Sequence, residues 1–155
     1  MNILVVFYSR TGWTEKVAVR LAQQLNCGLD QVVDTKDRSK LLGYLKAGRD
    51  AMFKEMTTIA PVKSEPKFYD LIIVGTPIWA FTVPPPIRTY LRDKKIQLKR
   101  VAFFCTQGGS GDKAAFREME KTCDLKPIAT MALTTQEVKE EKYQDKLSQF
   151  IQQLK

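Results

Sequence analysis

The sequence predicts an α/β fold, a doubly wound five-stranded parallel sheet in three layers. Three observations predict it. Short apolar runs alternate five times with segments whose apolar residues recur at helical spacing. The first, third and fourth runs are apolar throughout, as strands are when helices cover both faces of a sheet. The 155 residues, 44% of them apolar, suit one ordered domain with a single sizeable core.

The elements follow in order. Ile3 to Phe7 is a continuous apolar strand. Val17, Leu21 and Leu25, flanked by Ala18 and Ala22, form a helical stripe. Gly28 opens a second strand that runs through Val32 and Val33. Leu41, Leu42, Leu45, Met52, Phe53 and Met56 suggest a longer helix, weakened by Gly43 and Gly48. Leu71 to Val74 is the third strand, and Ile87, Tyr90 and Leu91 mark a short helix after it. Val101 to Cys105 is the fourth strand, followed by Phe116, Met119 and Cys123 at helical spacing. Ile128 to Leu133 is the fifth. Leu147, Phe150, Ile151 and Leu154 give an i, i+3, i+4, i+7 face to a final helix.

Composition excludes several chemistries. There is no histidine, so Ser-His-Asp and Cys-His catalysis and histidine metal ligation are absent. Cys27, Cys105 and Cys123 stand far apart with no C-x-x-C pair, which argues against zinc and iron–sulfur sites. The odd count and the short apolar start, six residues running straight into Ser9 and Arg10, point to reduced thiols in a cytoplasm. Leu71 to Ile87 carries no charge, but Pro77, Pro84, Pro85 and Pro86 rule out one membrane-spanning helix there. Net charge is +8, with cations spread along the chain and no basic block or nucleic-acid module. No nucleic acid and no membrane are therefore expected as partners.

Doubly wound sheets bind ligands at the carboxyl ends of their strands, where strand order reverses. The loops there are S-R-T-G-W-T after strand 1, G-T-P-I-W-A-F-T-V-P-P-P after strand 3 and T-Q-G-G-S-G-D after strand 4. The first joins a strand end to a helix start, where free N–H groups and the helix dipole favour an anion. Gly12 lets the chain turn closely, and Ser9, Thr11 and Thr14 add hydroxyls. The sum fits a phosphate monoester. One Ser or Thr would suffice as a helix cap.

S-R-T-G-W-T resembles the S-x-T-G-x-T phosphate loop of the flavodoxins, which hold flavin mononucleotide (FMN). Its place after strand 1, with Y-D-L-I-I-V-G-T-P-I-W (Tyr69 to Trp79) downstream, extends the resemblance over essentially the whole chain. The resemblance implies strand order 2-1-3-4-5 and FMN as cofactor. It implies that Ser9, Thr11, Gly12, Trp13 and Thr14 hold the phosphate, with Arg10 beside the dianion or turned to solvent. Trp13 stands where the family commonly has asparagine; it covers the phosphate, lies on the flavin rim or packs on the helix. Thr76, Pro77, Ile78, Trp79, Ala80, Phe81 and Thr82 would flank the isoalloxazine, with Trp79 the first candidate to stack on it and Phe81 the second. Thr106, Gln107, Gly108, Gly109, Gly111 and Asp112 would approach its carbonyl edge. No aromatic stands in this last loop, where many flavodoxins place a tyrosine.

The resemblance implies an electron carrier whose flavin cycles between oxidised, semiquinone and hydroquinone forms. The missing aromatic keeps open an FMN-dependent NAD(P)H oxidoreductase acting on quinones, flavins or nitro compounds. Typical flavodoxins are acidic; at +8 this chain would suit an acidic redox partner protein, or none, and would favour the reduced, anionic flavin. It would act as a monomer or a homodimer. No catalytic side chain is nominated. A tyrosine-phosphatase loop fails because Gly111 stands where an arginine must follow Cys105, and G-G-S-G-D-K is not a Walker A loop. Gly75-Thr76 occupies the place of a response regulator's acceptor aspartate.

Overall fold

A computed structural model describes residues 1–35 and 56–155. The helix expected from Leu41 onward lies outside the described residues, Met56 excepted. Strand β1 (Ile3–Phe7) leads to helix α1 (Trp13–Leu25) and strand β2 (Gly28–Gln31). Strand β3 (Leu71–Pro77) leads to α2 (Pro85–Lys94), and β4 (Val101–Gln107) to α3 (Asp112–Cys123). After β5 (Thr130–Thr134) come α4 (Thr135–Lys139) and α5 (Gln144–Gln153). The five strands form one sheet in the order β2-β1-β3-β4-β5, every pairing parallel.

Alternation along β1 sorts the core into two layers, because successive side chains point to opposite faces of a strand. Val5 and Phe7 pack with Val17 and Leu21 of α1, Val138 of α4, and Leu147 and Phe150 of α5. Leu4 and Val6 pack with Ile87 and Leu91 of α2 and with Ala115 and Met119 of α3. Leu4, Val5, Ile73, Val74, Phe103 and Phe104 are fully buried, as strands covered on both faces must be.

Four strands shift at their ends and one expected helix becomes two. β3 runs on to Pro77 rather than Val74 and β4 to Gln107 rather than Cys105, so Thr76, Pro77, Thr106 and Gln107, expected in loops, end the strands. β2 stops at Gln31; Val32 is buried and still donates to the Phe7 carbonyl at 2.8 Å, but Val33 is exposed. β5 begins at Thr130 rather than Ile128 and runs to Thr134. The C-terminal segment holds two helices where periodicity predicts one. Thr134 caps the extra helix, α4: its hydroxyl accepts from the Glu137 N–H, and the Glu137 carboxylate accepts from the Thr134 N–H.

The uncharged stretch from Leu71 to Ile87 divides into β3, a tight turn and the start of α2. Pro85 and Pro86 fill the first turn of α2, where a missing N–H costs nothing. No helix among the described residues is long and apolar enough to cross a membrane.

Gly75 pairs with Phe104 across β3 and β4, and the Phe104 ring lies over it. A Cβ at Gly75 would stand 2.1 Å from Cζ of Phe104. Gly75→Ala should therefore cost about 1–3 kcal/mol by overpacking. Thermal melts check this, and the cost should shrink in a Phe104→Leu background if the ring is the cause.

Candidate functional site

The site lies where the strand order reverses. β1 is hydrogen-bonded to both β2 and β3, so the connection leaving β1 and the one leaving β3 depart to opposite faces of the sheet. It is at such a point, at the carboxyl edge, that doubly wound sheets bind ligands. Tyr8 continues the pairing one residue past β1, its N–H donating to the Gly75 carbonyl at 3.1 Å.

Residues 9–12 form the turn into α1. Gly12 takes φ 96, a left-handed conformation that favours glycine, and is the N-cap residue. The Ser9 hydroxyl accepts from the Gly12 N–H at 3.1 Å and so closes the turn. No side chain caps α1. Its first intrahelical bond there is Lys16 N–H to the Gly12 carbonyl, so the N–H groups of Trp13, Thr14 and Glu15 have no partner within the helix. Thr11 is exposed; Ser9, Arg10 and Trp13 are half-buried. This donor set, main-chain N–H groups at a positive helix end with hydroxyls beside them, is suited to an oxygen-rich anion.

Thr14 differs from its neighbours. It is buried, and its hydroxyl meets that of Thr106 at 2.7 Å, tying the first loop to the end of β4. Thr76 is also buried, its hydroxyl donating to the Pro77 carbonyl at 2.9 Å. The hydroxyls of Thr14, Thr76 and Thr106 thus serve the frame of the site.

After β3 the chain makes a two-residue hairpin turn. Trp79 and Thr82 exchange both backbone hydrogen bonds, each at 3.0 Å. Between them Ala80 and Phe81 have φ 46 and 63. Two consecutive positive φ angles belong to a type I′ turn, which normally takes Asn-Gly. With side chains at both positions the left-handed backbone costs about 1–2 kcal/mol per residue. Phe81 is 70% exposed. Trp79 is half-buried, edge-on to Tyr8 with ring centroids 5.5 Å apart, and the Arg10 guanidinium stands 5.7 Å from its ring centre. Trp79 therefore joins the first loop to the second.

The third loop meets the second at Gly111, the N-cap of α3, with φ 110. A Cβ there would lie 3.0 Å from Cγ2 of Ile78 and 3.2 Å from Cα of Phe81. Gln107 and Asp112 hold each other: the Gln107 side-chain carbonyl accepts from the Asp112 N–H at 3.1 Å, and its amide donates to the Asp112 carboxylate at 3.3 Å. Gly108, Gly109 and Ser110 are exposed, and nothing lies within 4 Å of where a Cβ of Gly108 or Gly109 would sit. Beneath the loop, burial, with the Asp112 charge adding, pushes the Cys105 thiol up to about 12. It stays neutral and unreactive.

Sequence reasoning passed over the group that anchors the hairpin. Arg88 of α2, 2% exposed, donates to the Glu118 carboxylate of α3 and to the Val83 carbonyl. Thr82, at the base of the hairpin, donates to the other oxygen of Glu118. Neither charge lies in a local motif; only the packing of α2 on α3 brings them together. Glu118→Ala would take away the carboxylate that the buried Arg88 and Thr82 both donate to, and should cost about 3–5 kcal/mol. Denaturant unfolding measures it, and adding Arg88→Met to Glu118→Ala should recover much of the loss.

The likenesses to known proteins agree with this fold. The chain matches the flavodoxin family model over residues 2–152. No curated protein matches it. A flavoprotein from Lactobacillus acidophilus NCFM, solved in complex with FMN, superposes with TM-score 0.75 at 24% identity, over 90% of this chain and 97% of that one. The apo-form of the flavoprotein from the same organism, solved by NMR, gives TM-score 0.67 at 26% identity, over 84% and 91%. A flavodoxin from the domain Archaea gives 0.52 at 16% identity, over 96% and 99%. With its five parallel strands in the order 2-1-3-4-5 and a family match across nearly all its length, the chain belongs to the flavodoxin family.

Proposed function

We propose that this chain binds FMN and works as an electron-transfer flavoprotein. The observation that carries the reading is the uncapped start of α1. Gly12 turns the chain under the first N–H groups, Ser9 closes that turn, and Thr11 stands free at its rim. The donors fit a phosphate dianion, with Ser9, Thr11 and the N–H groups of Trp13 to Glu15 the ones to hold it. The hairpin at Trp79 to Thr82 and the loop at Gly108 to Gly111, which meet at Gly111 and Phe81, would flank the planar ring. FMN would supply the redox chemistry; the chain holds the phosphate, confines the ring and sets the charge around it. The complex of the Lactobacillus acidophilus flavoprotein with FMN supports the choice of ligand.

A second reading, an NAD(P)H oxidoreductase, draws on one observation. Gly108, Gly109 and Ser110 are exposed with open space around them. A nicotinamide or small acceptor can approach a ring face that this loop, without an aromatic, leaves uncovered. Steady NAD(P)H oxidation with a quinone, without an added reductase, would select this reading.

Calorimetric titration of the apo-protein tests the cofactor. Two charge-assisted bonds to the phosphate are worth about 3 kcal/mol together, so riboflavin should bind roughly 100-fold more weakly than FMN. Equal affinities would overturn the reading. The strained hairpin supplies a further check. Phe81→Gly relieves about 1–2 kcal/mol of left-handed strain against about 0.4–1 kcal/mol of added chain entropy, so the fold should gain up to about 1 kcal/mol. FMN affinity should fall severalfold, as expected of strain kept for the ligand's benefit.

A further inference from the structure

The outer face of α3 carries Lys113, Arg117 and Lys121, four residues apart and all exposed. Positions i, i+4 and i+8 lie on one side of a helix, here spanning about 12 Å at 1.5 Å per residue. The opposite side, with Ala115, Met119 and Cys123, is buried against the sheet. None of the three cations makes an ion pair or a side-chain hydrogen bond among the described residues. By contrast Lys16, Lys94, Lys95, Lys142 and Lys146 each face a carboxylate at 2.6 to 3.5 Å. The stripe starts one residue after the N-terminal residue of α3, beside exposed Gly108 to Ser110 and next to the hairpin that presents Phe81. Other cations without an ion pair among the described residues, such as Lys99, Arg100 and Lys126, precede β4 and β5, at the far end of the sheet from the site.

What sets Lys113, Arg117 and Lys121 apart is their place: they start beside the loop that leads into α3, where a partner could reach the site. Unpaired cations on a rigid helix keep their full field in water and need not break an existing pair on docking. We infer that the exposed face of α3 docks a small acidic electron-carrier protein, with Lys113, Arg117 and Lys121 meeting its carboxylates and its redox centre turned toward the loops at the helix start. This rests on the electron-transfer reading above. Charge complementarity of this kind acts chiefly on encounter and orientation, and it weakens as salt screens it.

The test uses the FMN-loaded full chain and an acidic plant-type [2Fe–2S] ferredoxin as probe, with binding followed by calorimetry. The wild-type chain should bind at low ionic strength, and affinity should fall about tenfold or more on raising salt from about 0.02 to 0.2 M. Lys113→Glu, Arg117→Glu and Lys121→Glu together should lower low-salt affinity at least about tenfold and remove most of the salt dependence. Lys99→Glu, Arg100→Glu and Lys126→Glu together change net charge equally and should alter affinity less than about threefold. Basic cytochrome c should show the opposite preference, binding the α3 variant better than the wild type. Melting curves confirm that both variants fold. Failure of the wild type to bind the acidic probe, an α3 variant that binds as the wild type does, or an equal loss in the far-end variant would overturn the proposal. FMN titrations of the same proteins separate the two readings. Failure of the wild type to bind FMN overturns the cofactor; FMN binding without discrimination between the variants overturns only the docking face.

Discussion

The pairing of β1 with two neighbours, β2 on one side and β3 on the other, is the constraint on which everything else rests. From β1 the chain crosses one way to β2, and from β3 it crosses the other way to β4, and right-handed crossovers in opposite directions lie on opposite faces of the sheet. The helices after β1 and β3 must therefore cover opposite faces, and their starts must separate. α1 packs with Val5 and Phe7, while α2 packs under Leu4 and Val6, so even the alternation of one five-residue strand enforces the split. A one-residue slip of β1 would exchange Val5 and Phe7 with Leu4 and Val6, and the loss would be in the fit of each layer rather than in its apolar character.

Around the site the loops are tied to one another by unlike interactions. A hydroxyl pair, Thr14 with Thr106, joins the first to the third. A cation and two rings, Arg10, Trp79 and Tyr8, join the first to the second. Close backbone packing of Gly111 against Phe81 joins the second to the third, and the buried Arg88–Glu118 pair holds the hairpin's base from below. Because each tie uses a different chemistry, no single change of pH or salt loosens all of them. This is how the chain maintains consecutive positive φ angles at Ala80 and Phe81: strain of that kind persists only where the surroundings over-determine the backbone.

The sequence shows the frame more clearly than the ties. β1, β3 and β4 are legible because both of their faces are apolar, and the loop after β1 is legible because glycine and hydroxyls cluster at a strand end. The first helix after β5, α4, is missed by periodicity, since five residues are too few to display a period, although Thr134 and Glu137 carry its capping signature. Ile128 is already tied to β4, its N–H donating to the Val101 carbonyl at 2.9 Å, so the apolar run there begins before the strand proper. At the site, residue type does not reveal direction. Ser9, Thr11 and Thr14 look alike as donors in sequence, yet one closes a turn, one faces solvent and one is locked to β4. Nor does sequence distance disclose Arg88 beside Glu118, thirty residues apart and on different helices.

The unequal stiffness of the three loops bears on what each can decide. A ligand gripped by the turn at Ser9 to Thr14, and flanked by the hairpin, meets backbone already fixed by the ties around it, so little ordering entropy opposes binding. Gly108, Gly109 and Ser110 have no such tie among the described residues: they stand exposed between Gln107, which is held by Asp112, and Gly111, which is held by the hairpin. This is the stretch where the protein can accommodate different neighbours at low cost, and it adjoins the start of the basic face of α3. On the reading proposed above, recognition of the phosphate would fall to the stiff part of the site, and the choice of what exchanges electrons with the flavin to the part left compliant. A family that keeps one cofactor while changing partners would need that division, since stiffening the compliant segment would restrict partner choice without tightening the grip on the phosphate.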